Sequence, residues 1–154
     1  MNKRMPVEEY KKILENMPFC CVDIVICQNN KVLLIKRKND PEKNSWWVPG
    51  GRIYKNEKLE QAAIRKVKEE TGLDIKTIKK IGVYEYFSDK SFFSDLKTGT
   101  HNIVVVFLAE PIDNKNIKID KTSSDFKWID KIEEHLNPYV KQLLKDSQVF
   151  DLSN

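Results

Sequence analysis

Two histidines, three cysteines, five glycines and four arginines are all that the 154 residues hold of these types. Cys20, Cys21 and Cys27 are adjacent or strand-spaced in the apolar run FCCVDIVIC and form no CxxC. With His101 and His135 alone beside them, a zinc centre built on Cys and His is excluded, and any metal is expected to be hard and oxygen-ligated. Free cysteines in such a run behave as small buried hydrophobes, which suits a reduced, cytoplasmic setting. No apolar stretch approaches the roughly 18 residues that span a bilayer, so no membrane partner is expected. The opening MNKRMPVEEY lacks the apolar core of a signal peptide, and no leader is expected. A large excess of either charge is missing as well. Lys plus Arg total 27 against 23 Asp plus Glu, a net +4, which falls short of the basic stripe expected of a nucleic-acid binder.

The length suits a single domain over 1–154, large enough to bury about two-thirds of its unfolded surface. Val7, Tyr10, Ile13, Leu14 and Met17 recur at helical spacing, predicting an amphipathic helix over 6–16 opened by Pro6. Residues 19–27 and KVLLIKRK flank Asn29-Asn30 and read as a hairpin over 19–38. WWVPGGRIY reads as a short strand broken at Pro49-Gly50-Gly51. A helix is predicted over 58–71, stopped by Gly72. Strands over 74–87 and HNIVVVFLAEP enclose a long polar loop, 88–99, and DFKWID adds a last short strand. The tail, 131–146, reads as helical with a break before Pro138. The order β-β-β-α-β-β-β-α predicts an α/β fold with a mixed β-sheet flanked by helices.

On the helix over 58–71, residues three and four apart share a face, so Lys66, Glu69 and Glu70 cluster, with Arg65 four residues from Glu69. Glu57 lies just before the helix. Adjacent carboxylates near a glycine turn suit a hard divalent cation, with Mg²⁺ taking one or two of them and leaving its other positions to water and phosphate oxygens. The spacing is Gly51, five residues, Glu57, seven residues, then Arg65-Lys66-Val67-Lys68-Glu69-Glu70-Thr71-Gly72-Leu73. This resembles the box of the Nudix hydrolases, G-x5-E-x7-R-E-U-x-E-E-x-G-U, at every specified position except one. The resemblance implies an α/β/α sandwich around the mixed sheet, a Mg²⁺ or Mn²⁺ cofactor, and cleavage of nucleoside diphosphates linked to a further group. It implies a catalytic set of Glu57, Arg65, Glu69 and Glu70. Within it Glu69, Glu70 and the Gly50 carbonyl hold the metal, and Glu57 and Arg65 brace the helix. The exception is Lys66, where the pattern has glutamate: one carboxylate fewer and one cation more, which predicts weaker metal binding.

One branch of the family, the GDP-mannose mannosyl hydrolases, cuts the C–O bond at the anomeric carbon. The chain is similar to it over about 6–130, through MPFCCVDIVI, LLIKRKN, WWVPGGR, GVYEYF, THNIVVVF and DFKWID. By that resemblance Asp23 and Arg37 contact the nucleotide, Arg52 supports the diphosphate, and Tyr86 stands where the branch has a histidine near the leaving group. His101, which opens a strand beside the expected sugar loop, is a further candidate substrate-binding residue, with a structural role as its alternative. The implied activity is hydrolysis of a nucleotide sugar such as GDP-mannose or GDP-glucose to GDP and sugar, by an expected homodimer that could use its apolar N-terminal helix as the interface. The branch's basic histidine is replaced by Ser123, and serine is not a general base at neutral pH. Two alternatives therefore stay open: a pyrophosphohydrolase that breaks a P–O bond, favoured by the retained Glu69-Glu70 pair, and a catalytically weak nucleotide-binding module, favoured by Lys66.

Overall fold

A computed structural model describes residues 5–113 and 115–151. In chain order the elements are α1 (Val7–Asn16), β1 (Phe19–Gln28), β2 (Lys31–Arg37), β3 (Trp46–Trp47), β4 (Gly50–Arg52), α2 (Leu59–Thr71), β5 (Ile75–Ser88), β6 (Thr100–Pro111), β7 (Ser123–Ile129) and α3 (Pro138–Ser147). The strands run β3-β2-β1-β6-β5, with β4 also paired to β1 and β7 to β2. Only β1 and β6 are parallel; the remaining pairs are antiparallel. The sheet is therefore mixed, as the element order predicts.

Strand β1 is the hub. Its side chains alternate between faces with the period of two that a strand imposes. Val22, Ile24 and Ile26 join Ala62, Ala63 and Val67 of α2 in one core cluster. Cys21 and Val25 join Val140, Leu143 and Leu144 of α3 in the other. Both sides are covered, which gives the three-layer α/β/α sandwich. The run reads as nearly continuous hydrophobicity because a strand buried on two faces has no solvent side. Helix α1 contributes no buried residue; Tyr10 packs against Phe19 and Phe93 at the rim.

Two expectations are revised. The tail helix begins only at Pro138. A proline lacks the N–H and its ring clashes with the carbonyl four residues earlier, so a helix cannot run into it from 131. It serves instead as the first helical residue, with the Asn137 side chain accepting the Tyr139 N–H at 2.8 Å. The stretch around Pro49 is two strands with different partners: β3 pairs with β2 and β4 with β1. Helix α2 stops where expected, with Gly72 left-handed at φ 75°. Among the described residues, no helix is long and apolar enough to cross a membrane.

Gly50 pairs with Asp23 across β4 and β1, and this contact needs glycine. A Cβ there would come 2.0 Å from Asp23 Oδ1 and 2.4 Å from the Val22 carbonyl oxygen. We expect Gly50→Ala to cost about 1–3 kcal/mol through overpacking against β1, read as a lower urea midpoint; an unchanged midpoint would show that β4 can move away freely.

Candidate active site

The box residues meet around one guanidinium. Arg65 Nε donates to Glu57 Oε1 at 2.6 Å, and Nη2 donates to Glu57 Oε2 and to the Arg52 carbonyl, each at 2.9 Å. Nη1 lies 3.3 Å from both Glu69 oxygens. The Tyr54 ring sits 3.9 Å below the guanidinium, and the Tyr54 N–H donates to Glu57 Oε2 at 3.0 Å. One planar fork thus ties β4, the loop after it and α2 together, a geometry that lysine could not supply. The Arg65 hydrogen bond holds the Glu57 carboxyl below its ordinary range against the opposing effect of burial.

The next turn of α2 carries the two acidic neighbours. Glu70 is buried, and its Oε2 accepts the Gly50 N–H at 2.9 Å. Burial raises its pKa, opposed by Lys66 and by that N–H. Lys66 Nζ lies 3.4 Å from Glu70 Oε1 and 3.3 Å from Glu69 Oε2. Burial works against the ammonium, but Glu70 and Glu69 together outweigh it and lift the Lys66 pKa.

Above this turn opens a cavity of about 220 Å³, floored by Gly50, Gly51 and Glu70. Asp23, Arg37, Arg52, Trp47, Tyr86 and Tyr139 line it. Tyr139 donates to Asp23 Oδ2 at 2.8 Å and stacks on Trp47, with centroids 5.3 Å apart and planes at 15°. Tyr86 stands edge-on to Trp47, 5.4 Å away, and donates to Glu42 at 2.8 Å. Arg37 donates to the Pro41 carbonyl, and Arg52 lies 4.5 Å over the Tyr10 ring. Among the described residues, neither arginine has a carboxylate within ion-pair distance.

The NUDIX domain model matches residues 17–145. The chain belongs to the Nudix family. It is 35% identical over 141 residues to the low-salt glycan biosynthesis protein Agl8 of Haloferax volcanii, covering 92% of this chain and 89% of that one. It is 37% identical over 110 residues to an ADP-ribose pyrophosphatase of Methanocaldococcus jannaschii, covering 71% of this chain and 60% of that one. The fold superposes on the MutT NUDIX hydrolase of Burkholderia pseudomallei with a TM-score of 0.72 at 23% identity, over 85% of this chain and 98% of that one. The protein is thus a Nudix hydrolase, in a family that acts on nucleotide derivatives and generally uses a divalent metal.

The Nudix box of this chain is arranged differently from a resident metal site. Among the described residues, no three His, Cys, Asp or Glu side chains converge as ligands. The expected donors Glu69 and Glu70 already converge on the Lys66 ammonium, and Gly50 meets Glu70 through its N–H. Arranged in this way, they do not fit a divalent ion held by the protein alone.

The structure brings Glu57, Arg65, Glu69 and Glu70 together, and gathers Asp23, Arg37, Arg52 and Tyr86 around one cavity. It does not bring His101 there. That ring stacks on Phe87 at 4.3 Å, on an open groove beside the cavity, with Nε2 3.9 Å from Glu85. Ser123 is buried at the start of β7, opposite Arg37 in register, and is not among the lining residues. Trp47, Tyr139 and Glu42 are lining residues that the sequence reading passed over. The only hint was Asp23 itself, since a carboxylate inside an apolar strand demands a donor.

Burial, opposed chiefly by the Tyr139 hydrogen bond, pushes the Asp23 carboxyl up to about 7. An unfolded aspartate titrates near about 3.9, so across that interval the folded chain holds a proton that the unfolded chain has released. The stabilisation from protonated Asp23 is complete below about pH 4 and is lost as the pH climbs through about 7. Asp23→Asn removes that loss. We expect its urea midpoint to vary less with pH, and above pH 7 the variant to be the more stable by on the order of 1–3 kcal/mol. Parallel pH profiles for the two proteins would contradict this.

Proposed function

We propose that this chain hydrolyses a nucleoside diphosphate sugar, of the GDP-mannose or GDP-glucose kind, releasing the nucleoside diphosphate and the free sugar. The observation that carries the reading is the pair of guanidiniums lining one cavity, Arg37 and Arg52, neither with a carboxylate within ion-pair distance among the described residues. Two such rigid forks in one cavity call for an anion with several acceptor oxygens, and a diphosphate is such a ligand. The walls fit the rest of a nucleotide. Trp47, Tyr86 and Tyr139 present aromatic surface on which a base can stack. Asp23, when ionised, offers acceptors to the N–H donors of a base edge. Glycans are built from activated sugars, so a relative named for glycan biosynthesis supports a sugar on the far side of the diphosphate.

In this reading water adds to the anomeric carbon and releases a proton to solvent, the C–O bond breaks, and the diphosphate leaves with the bonding electrons. Arg52 and Arg37 bind and orient the diphosphate, while Arg65 and Glu57 hold the helix that bears Glu69 and Glu70. Tyr86 belongs to the wall near the sugar; His101 enters only if the sugar reaches the neighbouring groove. A Mg²⁺ or Mn²⁺ ion, where the reaction uses one, would be carried by the substrate's phosphate oxygens and water rather than by the chain, and would offset charge on the departing diphosphate. We take the protein to act as one domain over 1–154, in the cytoplasm, and as a homodimer.

A second reading is P–O cleavage to a nucleoside monophosphate and a sugar phosphate. The retained Glu69-Glu70 pair favours it, as does a relative named as an ADP-ribose pyrophosphatase. A phosphorus NMR time course with Mg²⁺ and GDP-mannose, GDP-glucose or ADP-ribose separates the two. GDP and free sugar are expected from the GDP-sugars, whereas GMP and a sugar phosphate from them, or AMP and ribose phosphate from ADP-ribose, would establish the second reading. Binding of the nucleotide sugar with no turnover would instead leave a nucleotide-binding module.

A further inference from the structure

Lys66 lies along the glycine turn rather than out in solvent. Its Cε and Nζ come within 2.6 and 3.2 Å of the point where a Cβ on Gly51 would stand, and its side chain is 17% exposed. The ammonium faces one oxygen of each acidic neighbour, 3.3 Å from Glu69 Oε2 and 3.4 Å from Glu70 Oε1. The other Glu70 oxygen takes the Gly50 N–H, and Glu69 also meets Arg65. Every carboxylate oxygen of the pair therefore has a donor from the chain itself.

This is the work a bound cation does. Adjacent like charges repel, and a buried one left uncompensated is strongly destabilising. An ammonium is a compact charge with three donors, suited to bridging two carboxylates. It is also fixed to the helix that carries both acids, three and four residues away, so its local concentration never falls. A divalent ion approaching Glu70 would have to displace it and then stand beside it as a like charge.

We propose that Lys66 is the resident cation of this site. In the free protein its ammonium holds Glu69 and Glu70 together, those two carboxylates carry no divalent ion, and any divalent ion arrives already bound to the ligand's diphosphate. The inference rests on the Lys66 geometry and not on which nucleotide derivative is cut, so its test uses no substrate and can fail independently of the proposed reaction.

The test is a Mn²⁺ titration of the free protein, with the unbound ion followed by electron paramagnetic resonance. The wild type is compared with Lys66→Met, which keeps the apolar stem, and Lys66→Glu, which places a third carboxylate on the helix face. The wild type is expected to leave Mn²⁺ unbound up to millimolar concentration, and Lys66→Glu to bind it at least about tenfold more tightly, with Lys66→Met between them. Equal Mn²⁺ binding by all three proteins, tight or weak, overturns the proposal. Thermal unfolding of the wild type gives a readout that needs no variant. A ligand bound only to the folded state raises the midpoint, so millimolar Mn²⁺ is expected to leave it unchanged, and a saturable rise would also overturn the proposal.

Discussion

The Arg65–Glu57 fork is the interaction on which the rest of the site depends. Arg65 is 20% exposed and Glu57 9%, so neither charge could be left alone there without a large penalty. Together they satisfy one another with two parallel hydrogen bonds, and the spare guanidinium donor reaches the Arg52 carbonyl. That last bond matters because Arg52 closes β4, the strand that carries the glycine turn. A single side chain thereby sets the distance between the turn and helix α2. The Glu70–Gly50 hydrogen bond and the Lys66 contacts with Gly51 and the two glutamates all lie within that fixed gap.

Charge is then divided between two neighbouring places. On the helix side, Glu57, Glu69 and Glu70 face Arg65 and Lys66, and the group is close to balanced. On the cavity side, Asp23 spends part of its time protonated near neutral pH, with Arg37 among the groups that act against that protonation. Arg37 and Arg52 have no carboxylate within ion-pair distance among the described residues. The two guanidiniums share the cavity wall with Asp40, Glu42 and Glu70 as well as Asp23, so they are local cationic points in a lining that is not net positive. An anionic ligand would be held there by the directed donors of the two guanidinium forks rather than by net charge.

The sequence was most legible where the relevant spacing is local. Glu57, Arg65, Glu69 and Glu70 lie within fourteen consecutive positions, and helical periodicity alone places Glu69 one turn from Arg65 with Glu70 beside it. The glycine stop at Gly72 and the two-faced burial of β1 follow from equally local chemistry. What could not be read is set by contacts between distant segments. Tyr139 meets Asp23 across 116 positions, and nothing near Tyr139 marks it as more than a residue behind a proline cap. His101 has the opposite fault. Its type suggests chemistry, but strand alternation and the Phe87 stack turn it toward the groove. Lys66 shows an intermediate case: its departure from the pattern and its clustering with both carboxylates were visible in the spacing, while its close approach to Gly51 required the packed turn.

The dependence of the site on the fork is measured most directly by a double-mutant cycle of Glu57→Gln and Arg65→Met in urea unfolding. If the two groups act as one unit, the single and double variants should lose similar stability, with a coupling of about 1.5–3 kcal/mol. A coupling below about 0.5 kcal/mol, within the range of independent sites, would mean that the turn and helix α2 are held by something else.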